Sequence, residues 1–266
     1  MAAEPGQIRD KEYFLERVSR EMAEDLDLPA WKLPEQLAAA CRILAAEGHE
    51  SGLAGQVTAR GEKPGTWWTL PFGVGFDEAT PERMLLVDED LKPLEGGVRP
   101  NPGVRFHLWI YRKRPDVQAI VHTHAPSASA LSCTSSGLKT IHMDGAMLHG
   151  TAHLPEWPGV PVADDEGRII SAALGQAKTI LLANHGLLAA GASIAEAAYL
   201  AVFFERAARM QLAAMAAGGY REVEPRLAEE ARAFLLQPAI VQATFAYWAR
   251  RISAPPSTTG RGASRP

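Results

Sequence analysis

Cysteine is scarce in this 266-residue chain, with Cys41 and Cys133 the two present. A disulfide-stapled scaffold needs more of them and usually a shorter chain, so that class is excluded. Cys41 sits in an apolar helical stretch and Cys133 follows Leu131-Ser132, and both read as buried free thiols. Clustered positive charge is missing as well. Lys and Arg total 27 against 31 Asp and Glu, a formal net charge of −4, and no basic block stands out. Nucleic-acid and anionic-membrane binders carry a basic patch, so neither partner is supported. No run approaches the roughly 18 apolar residues that span a bilayer. The opening MAAEPGQIRDKEYFLERVSR has no apolar core of the signal-peptide kind. The expectation is a soluble cytoplasmic protein with a small-molecule substrate.

What is present suits a substantial core: 47% hydrophobic and 22% charged residues, ordinary values for a globular chain. Residues 1–30 are polar and acidic and read as an N-terminal arm. Lys32 to Glu47 is a helix, with Leu33, Leu37, Ala40, Cys41 and Leu44 at helical spacing and Gly48 as its stop. Strands are expected where Val57-Thr58 closes a glycine-bearing segment, at Trp67 to Leu70, and at Met84 to Asp88. Arg105 to Arg114 reads as a helix broken by Pro115-Asp116, and Ala119-Ile120-Val121 as a strand. Ser127 to Ser132 resumes helix, Thr179 to Ala183 is a strand, and Ser193 opens the longest helix. Glu196 three residues later completes a capping-box pattern. Further helices are expected over Glu229–Leu236 and Ile240–Arg250. The Pro-, Ser-, Thr- and Gly-rich residues 253–266 read as a disordered tail. Interleaved strands and helices make residues 31–252 one α/β domain.

The chemistry-bearing residues sit at strand ends. His122-Thr123-His124 follows an apolar strand, and residues two apart on an extended strand point to one face, so both imidazoles can converge. His185 follows a second apolar strand directly, and Gly186 lets the backbone turn there. Three neutral imidazoles with an open water position make a common catalytic metal site. A lone histidine on an apolar face is more often a satisfied core residue; two strand-end histidine motifs in one chain tip the balance toward metal.

The run from Phe106-His107 through Tyr111, Arg114-Pro115-Asp116-Val117 and Ala119-Ile120-Val121-His122-Thr123-His124 resembles the FHxxIYxxRPDVxAIVHTH signature of the class II aldolase/adducin family. Ala183-Asn184-His185-Gly186-Leu187 is similar to its later NHG motif, and Gly52 to Arg60 to its early G-N-V-S-x-R segment. The resemblance spans about residues 33–217. It implies a single-domain α/β/α sandwich around a central, largely antiparallel sheet. It also implies a divalent metal on His122, His124 and His185, and often a tetramer with fourfold symmetry. Zinc is the first expectation for the metal, with manganese and iron as alternatives.

The departures carry as much information. Sugar-phosphate aldolases of the family place Ser-Ser-Glu just before the Arg-Phe-His, and that Glu is their acid/base. Here Asn101, Pro102 and Gly103 stand in those places, so the usual proton shuttle is missing, and proline offers no N–H donor. Candidates for a replacement acid/base are His49, Glu50 and His142, with His149, Asp144 and Glu156 in the same middle region. His107 reads as a structural or supporting hydrogen-bond partner. Gln56, in the place of the family Asn, Asn101 and Trp157 are the candidate substrate contacts. The leading expectation is a metal-dependent lyase cleaving a carbon–carbon bond of a small unphosphorylated hydroxy- or keto-carboxylate. Decarboxylation is favoured over retro-aldol cleavage because carbon dioxide leaves without a base removing a hydroxyl proton. A non-haem iron oxygenase on the same ligands and a non-catalytic adducin-like interaction module are the rivals.

Overall fold

A computed structural model describes residues 10–24, 26, 28–49 and 51–253. Its centre is a seven-stranded sheet: β1 (Gln56–Arg60), β2 (Trp67–Thr69), β3 (Leu85–Val87), β4 (Ala119–Thr123), β5 (Ala152–Leu154), β6 (Thr179–Leu182) and β7 (Gly186–Gly191). The spatial order is β3-β2-β1-β4-β7-β6-β5. Every pairing is antiparallel except β5 with β6. The expected largely antiparallel α/β/α sandwich is therefore the fold.

The layers follow from the alternation of side chains along central strands. On β4, Ala119 and Val121 belong to one apolar cluster and Ile120 to the other, as the period of two requires. The first cluster is closed by α2 (Leu33–Ala46), α4 (Pro126–Ser132), α6 (Ile194–Ala216) and α8 (Pro238–Ser253). The second is closed by α3 (Arg105–Lys113) and α5 (Asp164–Leu174). β4 is buried along its whole length, which fits a central strand covered on both faces.

Local signals explain most elements. Helix α2 starts where Glu35 accepts a hydrogen bond from the Lys32 N–H at 2.9 Å, and Gly48 leaves it at φ +82°. Ser193 caps α6, its hydroxyl accepting from the Glu196 N–H at 3.1 Å. The expected capping box is only half made, because the Glu196 carboxylate accepts from the Ala192 N–H and from Lys178, both at 2.6 Å. The short edge strand β5, helix α5 and strand β7 lie outside the sequence expectations. α5 is masked by Gly167, which is needed because a Cβ there would stand 2.4 Å from Trp109 of α3. β7, with two leucines and two alanines between flanking glycines, has no β-branched or aromatic residue of the kind strands favour. The last two helices are longer than expected: α7 covers Pro225–Leu235 and α8 reaches Ser253. Ser253 is thus helical, and the rest of the expected tail lies outside the described residues. Cys133 corrects another expectation: it is exposed, because it follows the end of α4, whereas Cys41 is buried in α2.

The N-terminal arm contains α1 (Lys11–Glu24), which buries none of its residues and leans on α8. No helix among the described residues is long and apolar enough to cross a membrane.

One charged side chain holds the two connections that lead into the central strands. Arg114, 5% exposed, grips Asp116 through two bonds of 2.8 and 2.7 Å. Its remaining nitrogen donates to the Gly175 and Ala177 carbonyls at 2.8 and 3.1 Å. The α3–β4 link is thereby fixed to the α5–β6 link, which gives the Arg-Pro-Asp sequence a structural reason. Lysine has no planar fork, so Arg114→Lys leaves at least one part-buried carbonyl unpaired. Urea unfolding should show a loss of about 1–3 kcal/mol; a change below about 0.5 kcal/mol would contradict this role.

Candidate metal centre

Strand pairing assembles the site. β4 lies antiparallel to β7 with His122 opposite Leu188 and Thr123 opposite Leu187. β6 and β7 form a hairpin in which Leu182 faces Gly186, so His185 sits on the three-residue turn between them. The turn closes because Asn184 adopts φ +51°, the left-handed region that asparagine tolerates better than most residues. Gly186 serves a different need from the sharp turn expected of it: a Cβ would stand 2.4 Å from the Thr123 carbonyl oxygen. One ligand atom from each of His122, His124 and His185 falls within 4.8 Å of the others. The ring centroids are 4.6 to 5.0 Å apart.

The protonation pattern suits a cation. His122 Nδ1 lies 2.8 Å from the Leu187 carbonyl, which can only accept, so Nδ1 carries the proton and Nε2 presents its lone pair. That Nε2 faces His124 Nε2 at 3.2 Å. Two lone pairs cannot face each other at this distance without a proton or a cation between them. A neutral His124 can place its own proton there, and burial disfavours a second proton on any of the three rings. It holds His122 well below the ordinary 6.5, helped by repulsion from His185, His124 and His107. It brings His185 down to about 4, with help from His124, and lowers His124 as well. Neutral imidazoles, one oriented by a backbone carbonyl, are what a divalent metal requires.

Gln56 and Asn101 line a cleft together with the 52–55 loop, residues 69–74 and Phe76, and none of the three histidines lines it. Gln56 pairs with His122 across β1 and β4, so its side chain leaves the sheet on the same face. The Asn101 amide donates to the Leu53 carbonyl at 3.0 Å and accepts from the Gly103 N–H at 2.9 Å. Gln56 Oε1 is buried without a partner. Its carboxamide occupies the space over Gly103: a Cβ there would meet Gln56 Nε2 at 2.8 Å and Cδ at 2.9 Å.

Residues 35–212 match the model of the class II aldolase and adducin N-terminal domain. The chain belongs to this family. It is 35% identical over 187 residues, 69% of its length, to a 4-hydroxy-3-prenylphenylpyruvate oxygenase/4-hydroxy-3-prenylbenzoate synthase of Streptomyces roseochromogenus subsp. oscitans, covering 66% of that protein. It is 34% identical over 183 residues, 67% of its length, to the decarboxylase NovR of Streptomyces niveus, covering 68% of it. Among solved structures it is similar to an L-fuculose 1-phosphate aldolase from Glaciozyma antarctica PI12, with a TM-score of 0.76 and 30% identity over 89% of this chain and 96% of that one.

Against this class II aldolase/adducin background, the other sequence candidates separate. His49 is fully buried, its Nδ1 2.9 Å from Thr123 Oγ1. Thr123 points to the sheet face opposite His122, so His49 stands behind the histidine cluster and not within it. Glu50 lies outside the described residues. His142 is half exposed and caps a short 3-10 turn through the Asp144 N–H at 3.2 Å. It lines a cavity of about 300 Å³ with Lys139, Phe203, Arg206 and Met210, and no metal-candidate histidine lines that space. Trp157 is 52% exposed and has no hydrogen bond or ring contact among the described residues. His107 fits the supporting role expected of it, with Nδ1 2.9 Å from the Thr58 hydroxyl and burial on the His122 side. The sequence reading passed over Ser129 and Ser132 of α4. Ser129 donates to the His185 carbonyl at 3.2 Å, and Ser132 accepts from the His185 N–H at 3.1 Å. Their three-residue spacing on one helix face was the available signal.

Two outcomes follow. Gly186→Ala pushes the hairpin away from β4, so metal affinity should fall about tenfold or more, read by chelator competition; an unchanged affinity would contradict the close approach. The second concerns pH. Burial brings His49 and His107 down to about 3, with the Arg206 charge contributing at His49. The unfolded chain binds these protons near 6.5, so between about 3 and 6.5 it holds more protons than the folded one. Stability is therefore complete above pH 6.5 and is lost as pH falls, by up to about 1.4 kcal/mol per pH unit for each histidine. Urea midpoints of metal-free protein should drop steadily from pH 6.5 to 4.5, and a flat profile would contradict neutral burial.

Proposed function

We propose that the protein is a divalent-metal-dependent lyase that breaks a carbon–carbon bond of a small, unphosphorylated hydroxy- or keto-carboxylate, with decarboxylation favoured over retro-aldol cleavage. The observation that carries the reading is Gly103 in the place of the aldolase glutamate, with the Gln56 carboxamide filling the room a side chain there would need. His122, His124 and His185 would hold the metal, zinc first among the candidates. When bound, it supplies a Lewis acid that stabilises the negative charge developing beside a carbonyl.

The chain's own residues shape the rest. A carboxamide does not take up a proton near neutral pH, so Gln56 can orient a substrate hydroxyl but cannot deprotonate it. Retro-aldol cleavage requires that deprotonation. Decarboxylation does not: carbon dioxide departs, its bonding electrons remain on carbon beside the carbonyl, and that carbon then takes a proton from solvent. The cleft beside Gln56 argues against phosphate. No Lys or Arg lines it, and the one donor of Thr69 is spent on the Val57 carbonyl. The decarboxylase and synthase relatives support this choice.

The intact histidine triad favours an enzyme over an adducin-like interaction module. The relative named as an oxygenase keeps iron-dependent oxidation as a second reading, which oxygen uptake on the same substrates would reveal. We further propose a homotetramer, supported by exposed Met143, Trp157, Val160, Val162 and Ile169. A cytoplasmic location fits the free thiols of Cys41 and Cys133.

The test is a panel of sugar phosphates and unphosphorylated hydroxy- and keto-acids, aromatic ones included, assayed for carbon dioxide and for aldehyde. The expected result is carbon dioxide from at least one acid and slower turnover of every sugar phosphate. Gly103→Glu alone should not rescue sugar-phosphate cleavage, because the cleft would still have no Lys or Arg to hold the phosphate. Faster turnover of a sugar phosphate than of every acid would overturn the reading.

A further inference from the structure

Helix α4 joins two of the three histidines. It begins two residues after His124, and its Ser129 and Ser132 side chains hold both the N–H and the carbonyl of His185. The Ser132 carbonyl also accepts from the Asn184 N–H at 2.9 Å, so three bonds clamp the β6–β7 turn to this one helix. A shift of α4 would move His124 and His185 together relative to His122, which the sheet fixes separately.

The helix does not supply its own cap. Ala125 stands at the N-cap with no side-chain hydrogen bond, and Pro126 at the first position has no N–H. The two open donors of the first turn are met from outside. Glu205, in the middle of α6 and 9% exposed, accepts from the Ser127 N–H at 2.9 Å through one oxygen. It accepts from the Ala128 N–H at 2.8 Å through the other. No Lys, Arg or His forms an ion pair with Glu205 among the described residues. Its charge is met by these two N–H groups and the positive end of the α4 dipole. A buried carboxylate without a cationic partner is expensive to maintain, and local packing alone would be served by an apolar residue.

Building on the metal reading above, we propose that Glu205 is a positioning residue of the metal centre. It seats the N-terminus of α4 on α6, and α4 in turn sets His124 and His185 at the separation that His122 requires. The route runs Glu205 to Ser127 and Ala128, along α4, then through Ser129 and Ser132 to His185. Every link is a hydrogen bond or a covalent neighbour, so loss at either end should be felt at the metal.

Glu205→Gln keeps the shape, removes the charge and sets an amide NH2 against one of the two N–H donors. Zinc affinity of the metal-free protein, measured by competition with a chromophoric chelator, should fall tenfold to a hundredfold, the range usual for residues that orient metal ligands. The ligand-field absorption of the cobalt-loaded protein should shift, which a role in stability alone would not produce. Ser132→Ala should weaken zinc binding in the same way. The double variant should lose less than the product of the two single losses, because both act through α4. Zinc affinity of Glu205→Gln within twofold of wild type, with an unchanged cobalt spectrum, would overturn the inference. If Glu205→Gln does not fold, an unaltered zinc affinity in Ser132→Ala overturns it instead. Wild-type protein that binds no zinc or cobalt would overturn the metal reading and this inference together, an outcome distinct from a wild type that binds and a variant that binds as well.

Discussion

The antiparallel pairing of β4 with β7 is the constraint on which the rest of the site depends. It sets His122 opposite Leu188 and brings the β6–β7 turn, with His185, against the end of β4. The same pairing carries the Leu187 carbonyl to His122 Nδ1, so one ladder fixes both the position of a ligand and its tautomer. The pairing leaves no room for a side chain at Gly186. Ladder hydrogen bonds in a doubly covered strand are shielded from water, and this gives a buried histidine cluster a fixed geometry before any metal arrives. That preorganisation reduces what metal binding must spend on ordering.

Much of this was legible in the residues themselves. His122-Thr123-His124 after an apolar strand and Asn184-His185-Gly186 after another pointed to one centre, because strand ends with period-two spacing are a direct geometric signal. The family signature extended that to the fold. What could not be read were contacts set by tertiary packing. β7 reads Gly-Leu-Leu-Ala-Ala-Gly, with no β-branched or aromatic residue to mark a strand, and α5 carries Gly167, a poor helix former, where it packs on Trp109. His49 looked like a candidate base from its glycine-bearing loop. Only the sheet shows that Thr123, its partner, faces away from the metal candidates. Cys133 looked buried from its neighbours, yet the end of α4 leaves it exposed.

The chemistry follows from a substitution that one position alone does not explain. Gly103 removes a carboxylate from the place where the family's aldolases keep their acid/base, and Gln56 takes up the vacated space with a neutral group. The two positions read as one change: a Cβ at 103 would require the Gln56 carboxamide to move. On the proposed reading, a site so altered keeps the three histidines that would hold a Lewis acid and has lost its base. It therefore suits a substrate whose bond can break without prior deprotonation of a hydroxyl. The small, uncharged cleft beside Gln56 points the same way, since a dianion needs several donors and each one missing costs about 1.5–3 kcal/mol.

The central claim is that His122, His124 and His185 form one metal centre per chain. Its most direct test is a zinc titration of metal-free protein, followed by calorimetry, for the wild type and for His122→Ala. The account predicts one equivalent bound by the wild type, with protons not displaced in quantity near neutral pH because the histidines are already neutral. His122→Ala should retain far less than one equivalent. Full retention of metal by His122→Ala, or no binding by the wild type, would contradict it.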